Sequence, residues 1–155
     1  MIKTKMKSLI NNKYLLFLFR IVLAMIFIYA GMEKISDTNG FSISINNYKI
    51  LPLFLVNIFA ITLPWLELTT GILLLFGIKV KENSFIISVL LIIFIIAISI
   101  SLIRGLNIDC GCFGTVSGTK IGVNKIIEDL VLLLLGVILI KFDSEFLSLV
   151  KKSKH

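Results

Sequence analysis

The amino-acid sequence predicts an all-α integral membrane protein with four transmembrane helices. Hydrophobic residues make up 57% of the 155-residue chain and charged residues only 16%, whereas a soluble protein has about 25% charged residues. So small a soluble protein has too much surface for so few charges to cover. The same hydrophobicity excludes a disordered chain, and two cysteines are too few for a disulfide-rich scaffold.

Four segments are long and apolar enough to cross a bilayer, since a hydrocarbon core of about 30 Å requires about 20 residues of helix. The predicted spans are residues 14–32, 51–78, 84–103 and 121–140. The third has no charged residue, which is typical of a helix with a large lipid-facing surface. All four runs are continuous rather than alternating, which favours helices over transmembrane strands.

The distribution of basic residues predicts how these helices are oriented. Ten lysines lie in the two tails and the turn around residue 80, against five basic residues on the opposite side. Because basic residues concentrate in the cytoplasm, we expect a multi-pass protein of a bacterial inner (plasma) membrane with both termini cytoplasmic. The net charge of +7 then reflects topology and the lipid bilayer, not nucleic-acid binding. The predicted parts are cytoplasmic tails 1–13 and 141–155, a membrane domain 14–140 and an extracytoplasmic loop 104–120.

Both cysteines fall in this outer loop, in the sequence Asp109-Cys110-Gly111-Cys112-Phe113-Gly114. Two cysteines one residue apart close only a tight ring, and Gly111 tolerates the unusual backbone that such a ring demands. Strained, exposed disulfides are the labile ones, and the outer compartment is oxidising. Gly114 lets the loop fold back on the membrane, with Phe113 as an interfacial anchor. The pattern favours thiol–disulfide exchange by Cys110 and Cys112.

Other interpretations of the cysteine pair stay open. A structural disulfide that closes so short a loop adds little stability, because it removes little entropy from the unfolded chain. A zinc ion needs two further ligands, and the single histidine, His155, is expected on the opposite face. We therefore predict no metal site within one chain; in a homo-oligomer, thiolates from two subunits would complete one, and this alternative stays open. A pair of inert buried thiols is the third alternative.

Ionisable residues inside the spans form a second set of candidates, because charge at membrane depth is costly. Arg20 and Glu67 are expected to differ in depth by about 8 Å, close enough for an ion pair; alternatively Glu67 carries protons or contacts a quinone. Lys34 and Asp129 lie at the outer ends of their spans. Lys34 is expected to pair with Asp129 or to favour a nearby cysteine thiolate by lowering its pKa. Asp109, next to Cys110, is expected to disfavour the thiolate. Two roles are open for Asp129: a favourable interaction with the dipole at the start of its helix, or proton transfer beside the cysteines.

Several of these motifs together resemble a known family. The matching features are Arg20, Ala30-Gly31, Lys34, Tyr48, Leu51-Pro52, Leu63-Pro64-Trp65-Leu66-Glu67, Asp109-Cys110-Gly111-Cys112-Phe113-Gly114 and Glu128-Asp129. They are similar to the MauE branch of the DoxX-like membrane proteins, a redox-associated family named for methylamine utilisation. The resemblance implies a four-helix bundle that works with an extracytoplasmic thioredoxin-like partner in disulfide formation or maintenance. In the methylamine branch the beneficiary is the disulfide-rich small subunit of methylamine dehydrogenase.

The resulting functional hypothesis is a membrane thiol–disulfide redox protein, in enzymatic terms a thiol–disulfide oxidoreductase. No nucleotide, haem or phosphate motif is present, and membrane quinone is the one cofactor that analogy with membrane thiol oxidases suggests. Two alternatives belong to other classes. One is a non-enzymatic membrane chaperone or scaffold for a secreted partner, and the other is a small membrane carrier whose polar path uses Arg20 and Glu67.

Overall fold

The computed structural model describes residues 13–105 and 122–142, and this part of the chain is all-helical. It contains five helices: α1 (Lys13–Ser36), α2 (Thr38–Asn47), α3 (Leu53–Leu75), α4 (Val80–Ile103) and α5 (Val123–Lys141). Three of them, α1, α3 and α4, are long and apolar enough to cross a membrane. The predicted helical membrane protein is therefore confirmed at this level. The Cys110–Cys112 loop lies outside the described residues.

Helix α5 differs from the other long helices in its charge. Lys125, Glu128 and Asp129 occupy its first two turns and Lys141 its last position. Only 11 uncharged residues separate Asp129 from Lys141, which corresponds to about 16 Å of helix. That length is roughly half of a bilayer core. The fourth predicted span thus exists as a helix, and its crossing of the membrane stays a prediction.

Helix α2 was not predicted by the apolar pattern. It follows α1 after one residue, Asp37, whose carboxylate accepts a hydrogen bond from the Gly40 backbone N–H at 2.9 Å. This is the usual N-capping interaction, in which a short acidic side chain satisfies an unpaired amide of the first turn. The chain then continues into α2, which packs on α3 and places Phe41 in the interior.

Helices α1 and α3 form the most extensive helix pair, and α4 and α5 form the second. A Cβ atom on Gly31 would lie 2.9 Å from the Leu68 nitrogen and the Pro64 oxygen, and one on Gly71 would lie 2.9 Å from Ile28 Cγ1. The two glycines therefore let the backbones approach closely, as small residues do in membrane helix pairs. The contacts also fix the antiparallel register: Gly31 is level with Pro64–Leu68, and Gly71 with Ile28.

The turn between α3 and α4 ends one helix and starts the next within four residues. Gly77 has a φ of 71°, and the Ile78 N–H donates to the Leu73 carbonyl at 2.9 Å. These are the features of a Schellman motif, in which a left-handed glycine closes the helix. Asn83 Nδ2 then donates to the Ile78 carbonyl at 2.7 Å. The tight turn keeps α3 and α4 adjacent and antiparallel.

Candidate functional site

A fully buried ion pair joins α1 to α3. Lys34 Nζ donates to both carboxylate oxygens of Glu67, each at 2.7 Å, and the two side chains are 0% and 2% exposed. Charge-assisted bonds of this length are the strong class of hydrogen bonds. Removing two charges from solvent is costly, and close geometry is what compensates for it. A pair so completely buried in a small helical protein is therefore a candidate functional centre as well as a structural link.

The local packing explains why the two side chains meet. Gly31 brings α1 against the Pro64–Leu68 segment of α3, and Lys34 lies one turn further along the same face of α1. Glu67 lies in the facing segment of α3, three residues after Pro64, which α3 accommodates without interruption. The glycine contact thus sets the register that places an ammonium opposite a carboxylate.

Two aromatic rings from other helices flank the Lys34 ammonium. Its Nζ lies 5.2 Å from the centre of the Phe41 ring in α2 and 5.0 Å from that of Phe94 in α4. Both distances fall within the range of cation–π attraction, which strengthens when the cation is desolvated. Lys34 therefore receives contacts from three helices besides its own.

Asp129 of α5 is a second buried carboxylate beside the same ammonium. Its side chain is 1% exposed, and neither oxygen has a hydrogen-bond partner among the described residues. Its charge acts on Lys34, but no hydrogen bond joins the two side chains, so the expected pairing of Lys34 with Asp129 stays a prediction. The adjacent Glu128 differs, because it is 60% exposed and pairs with Lys125 at 2.7 Å. We refer to Lys34, Glu67 and Asp129 together as the charged centre.

Tyr48 is a buried residue on which the charge of Asp129 acts. It follows α2 and is buried against Ile98 of α4. Burial raises the pKa of the Tyr48 phenol, and the charge of Asp129 raises it further. Arg104 Nη1 donates to the backbone carbonyls of Tyr48 and Lys49 at 3.3 and 3.4 Å. These bonds tie the segment after α2 to the end of α4, directly before the cysteine-containing segment.

Arg20 does not belong to the charged centre, and the expected ion pair between Arg20 and Glu67 is wrong. Arg20 and Lys34 are 14 residues apart in α1, about 21 Å along the helix axis, and Glu67 is level with the Lys34 end. Arg20 is instead buried near the start of α1, with its guanidinium carbon 4.9 Å from the centre of the Phe17 ring. The sequence estimate placed Glu67 by counting residues from one membrane face, whereas the glycine contacts set the true register.

Six of the predicted site residues lie outside the described part of the chain. They are Asp109, Cys110, Gly111, Cys112, Phe113 and Gly114. Their segment connects the end of α4 to the start of α5, so Asp129 lies in the second turn of the helix that follows it. Within residues 13–105 and 122–142, no group of three or more histidine, cysteine or acidic side chains is arranged to hold a metal ion.

The helices and the charged centre define a helical membrane protein that concentrates one ammonium and two carboxylates in its interior. A family profile described as methylamine utilisation protein MauE matches residues 12–142. The match covers all five helices, and the chain belongs to this family.

Individual relatives carry the same name. The methylamine utilization protein MauE of Methylophilus methylotrophus is 33% identical over 129 residues, which are 82% of this chain and 68% of the relative. The MauE proteins of Methylorubrum extorquens and Paracoccus denitrificans are 33% and 28% identical over 61% and 70% of this chain. These two alignments span only 51% and 59% of the relatives' own length. No solved structure matches the chain.

Proposed function

We propose that this MauE-family protein carries out thiol–disulfide exchange through Cys110 and Cys112, with the charged centre as its proton-handling site. The observation that carries the proposal is Asp129, a buried carboxylate without a hydrogen-bond partner among the described residues. A carboxylate held in this way destabilises the fold. Such a group is typical of functional sites within membrane helices. Its helix starts directly after the cysteine segment.

The proposed chemistry is an exchange with a protein dithiol. A thiolate of the partner attacks one sulfur of a Cys110–Cys112 disulfide, the S–S bond breaks, and a mixed disulfide forms while the other cysteine leaves as a thiolate. The partner's second thiolate then displaces the first cysteine. The partner is oxidised to a disulfide, and Cys110 and Cys112 are reduced to thiols. The two protons released by the partner pass to the reduced pair, and Asp129 holds one of them transiently.

The pair must return its electrons to a second redox pool. We propose membrane quinone as that pool; it would accept two electrons and two protons from Cys110 and Cys112 while their disulfide forms again. The partner fits an extracytoplasmic thioredoxin-like protein, and the name of the relatives suggests a role in methylamine utilisation. In this proposal α5 is the fourth span of a DoxX-like bundle in the bacterial inner membrane, with both termini cytoplasmic, because most lysines lie at that end.

Lys34 and Glu67 have a supporting role in this mechanism. Lys34 Nζ has three donors and gives two bonds to Glu67. When Asp129 is ionised, the ammonium stabilises its charge across the helix interface. When Asp129 is protonated, the two bonds to Glu67 and the Phe41 and Phe94 rings still hold the ammonium. The bound ammonium therefore allows Asp129 to gain and lose a proton without rearrangement of the fold.

The proposal is tested by trapping the exchange intermediate in membranes of cells that express the full-length chain. A Cys112→Ser variant is expected to accumulate a mixed disulfide between Cys110 and the partner, or a Cys110→Ser variant to accumulate one through Cys112. The mixed disulfide is visible on non-reducing gels as an adduct that a dithiol reductant removes. The double serine variant is the matched control and should form none. Absence of an adduct from both single variants, with wild-type support of the partner, contradicts exchange and favours the scaffold alternative.

The buried charge also favours one rival function, a small membrane carrier, since ionisable groups inside helix bundles mark transport paths. Glu67→Gln separates the two. A carrier loses transport while Cys110 and Cys112 still cycle between disulfide and dithiol. In the redox proposal the same substitution changes stability and exchange rate together.

A further inference from the structure

A second candidate site lies between α3 and α4 and shares Tyr48 and Phe94 with the surroundings of the charged centre. Two adjoining grooves of about 320 and 440 Å³ share Phe59, Leu63 and Ile93. Together they extend along α4 from Phe85 to Ile100, which is 15 residues or about 22 Å of helix. One half of a bilayer core is about 15 Å thick. The combined groove, which we name the α3–α4 groove, is thus long enough to hold a complete lipid chain.

The lining of the groove is apolar. Ile93, Ile96 and Ile100 of α4 are 55%, 53% and 38% exposed along one face. The Thr62 hydroxyl donates to the Ile58 carbonyl of its own helix at 2.8 Å, so it presents no unsatisfied group to a ligand. An occupant of this groove is held by hydrophobic and van der Waals contacts along its length.

The size of the groove distinguishes a lipid chain from a helix. An α-helix is about 10 Å wide with its side chains, so a 15 Å length of helix fills roughly 1,200 Å³. Each groove holds well under half of that volume. A partner helix or a second copy of this chain can cover the groove but cannot enter it, whereas a single hydrocarbon chain fits within it.

The end of the groove beyond Ile100 is basic. Arg104 lies one turn after Ile100 on the same face of the helix, and its Nη1 atom is hydrogen-bonded to the carbonyl of Tyr48, which itself lines the groove. Lys49, whose backbone carbonyl also accepts a bond from Arg104 Nη1, is exposed. No ion pair joins Arg104 to another residue in the described ranges. A guanidinium fixed by backbone bonds, with further N–H groups to donate, is well suited to a phosphate.

We propose that the α3–α4 groove is a binding site for an anionic phospholipid, with one acyl chain along Ile93, Ile96 and Ile100 and the phosphate at Arg104 and Lys49. The charge complementarity selects an anionic headgroup over a zwitterionic one, and the apolar groove selects a lipid over free phosphate. The site is independent of Cys110 and Cys112, so it stands or falls separately from the redox proposal.

Native mass spectrometry of the full-length protein in detergent tests this site with added phosphatidylglycerol, phosphatidylcholine or inorganic phosphate. Wild-type protein is expected to retain phosphatidylglycerol in preference to phosphatidylcholine and to retain no phosphate. Arg104→Gln should weaken phosphatidylglycerol binding about fivefold, the effect of one basic residue on an anionic lipid. Lys81→Gln, at the other end of α4, is the matched charge control and should leave binding unchanged.

Substitutions within the groove test where the chain lies. Ile96→Trp fills the groove and is expected to reduce binding of both lipids at least fivefold, and Ile100→Phe provides a milder second variant. Ile92→Trp, on the same helix but outside the groove lining, is the control. Equal retention of the two lipids by wild-type protein overturns the anionic site, and unchanged binding in both groove variants overturns its location. A dimer that Ile96→Trp abolishes shows instead that the groove is an interface between copies.

Discussion

Glu67 and Asp129 are two carboxylates in nearly the same environment with opposite hydrogen bonding. Both are almost completely buried, and both lie near the Lys34 ammonium. Glu67 receives two bonds from it at 2.7 Å, whereas Asp129 receives none from the described residues. The difference indicates that Glu67 stabilises the contact between α1 and α3. Asp129 costs stability, and a costly buried group that persists in the interior of a small protein is better explained by function.

The largest expected effect follows from removing the shared ammonium. Lys34→Met leaves Glu67 and Asp129 buried without a cation, so we expect a loss of about 3–5 kcal/mol in the free energy of unfolding. The measurement is unfolding in mixed detergent micelles followed by circular dichroism. A loss below about 1 kcal/mol would mean that the pair behaves like an exposed one and would remove the basis of the comparison.

A double substitution sharpens this result. Lys34→Met combined with Glu67→Leu removes both charges of the pair, and buried pairs replaced by apolar residues of similar volume are often neutral in stability. We expect the double variant to recover at least half of the loss caused by Lys34→Met alone, measured in the same unfolding experiment. An additive loss from the two substitutions would show that they do not interact.

An intermediate effect is expected where α1 approaches α3. Gly31→Ala places a Cβ atom 2.9 Å from two backbone atoms of α3, so the helices must separate and the bonds between Lys34 and Glu67 must lengthen. We expect a cost of about 1–3 kcal/mol. Gly136→Ala is the matched control, because its one close contact is the Ser88 side-chain oxygen at 2.6 Å and its nearest backbone atom, the Ser84 oxygen, lies at 3.7 Å. Equal costs would mean that the α1–α3 contact is no tighter than the α4–α5 contact.

The smallest effect on stability, and the clearest effect on function, is expected at Asp129. Asp129→Asn removes a buried charge that has no hydrogen bond to lose among the described residues, so the free energy of unfolding should change by less than about 1 kcal/mol, or rise. Disulfide exchange at Cys110 and Cys112 should slow by about 10²-fold, the lower range for loss of a general acid or base.

Glu128→Gln is the control for this substitution, since Glu128 is the exposed neighbour in the same helix. It should leave the exchange rate unchanged. Stopped-flow measurement of the reaction with a small dithiol compares the three proteins. If Asp129→Asn reacts at the wild-type rate, Asp129 has no part in proton transfer.

The amino-acid sequence predicted the long helices more successfully than the arrangement of the charges. Three apolar runs were sufficient to identify α1, α3 and α4 because the bilayer sets their length and composition. Helix α2 was missed, since its sequence TNGFSISINN mixes polar and apolar residues and its start depends on the Asp37 cap. Its consequence, the Phe41 ring beside Lys34, was therefore missed as well.

The partners of the buried charges depend on helix register, which sequence periodicity does not determine. Lys34 and Asp129 were expected together because Lys34 ends the first predicted span and Asp129 begins the fourth, which places both at the outer face of the membrane. Glu67 was assigned to Arg20 from estimated depth, although the close contact at Gly31 places it opposite Lys34. Ala30-Gly31 was noted as a family feature, and treating that glycine as a helix contact is the signal that points to the correct pair.

The redox state of Cys110 and Cys112 is the most direct test of the proposed function. Purified full-length protein is equilibrated with graded ratios of reduced to oxidised dithiothreitol, and free thiols are then counted by alkylation and mass spectrometry. We expect one reversible two-electron transition in which Cys110 and Cys112 gain or lose their alkyl groups together. Thiols that stay reduced, or a disulfide that stays closed at every ratio, would contradict a role in thiol–disulfide exchange.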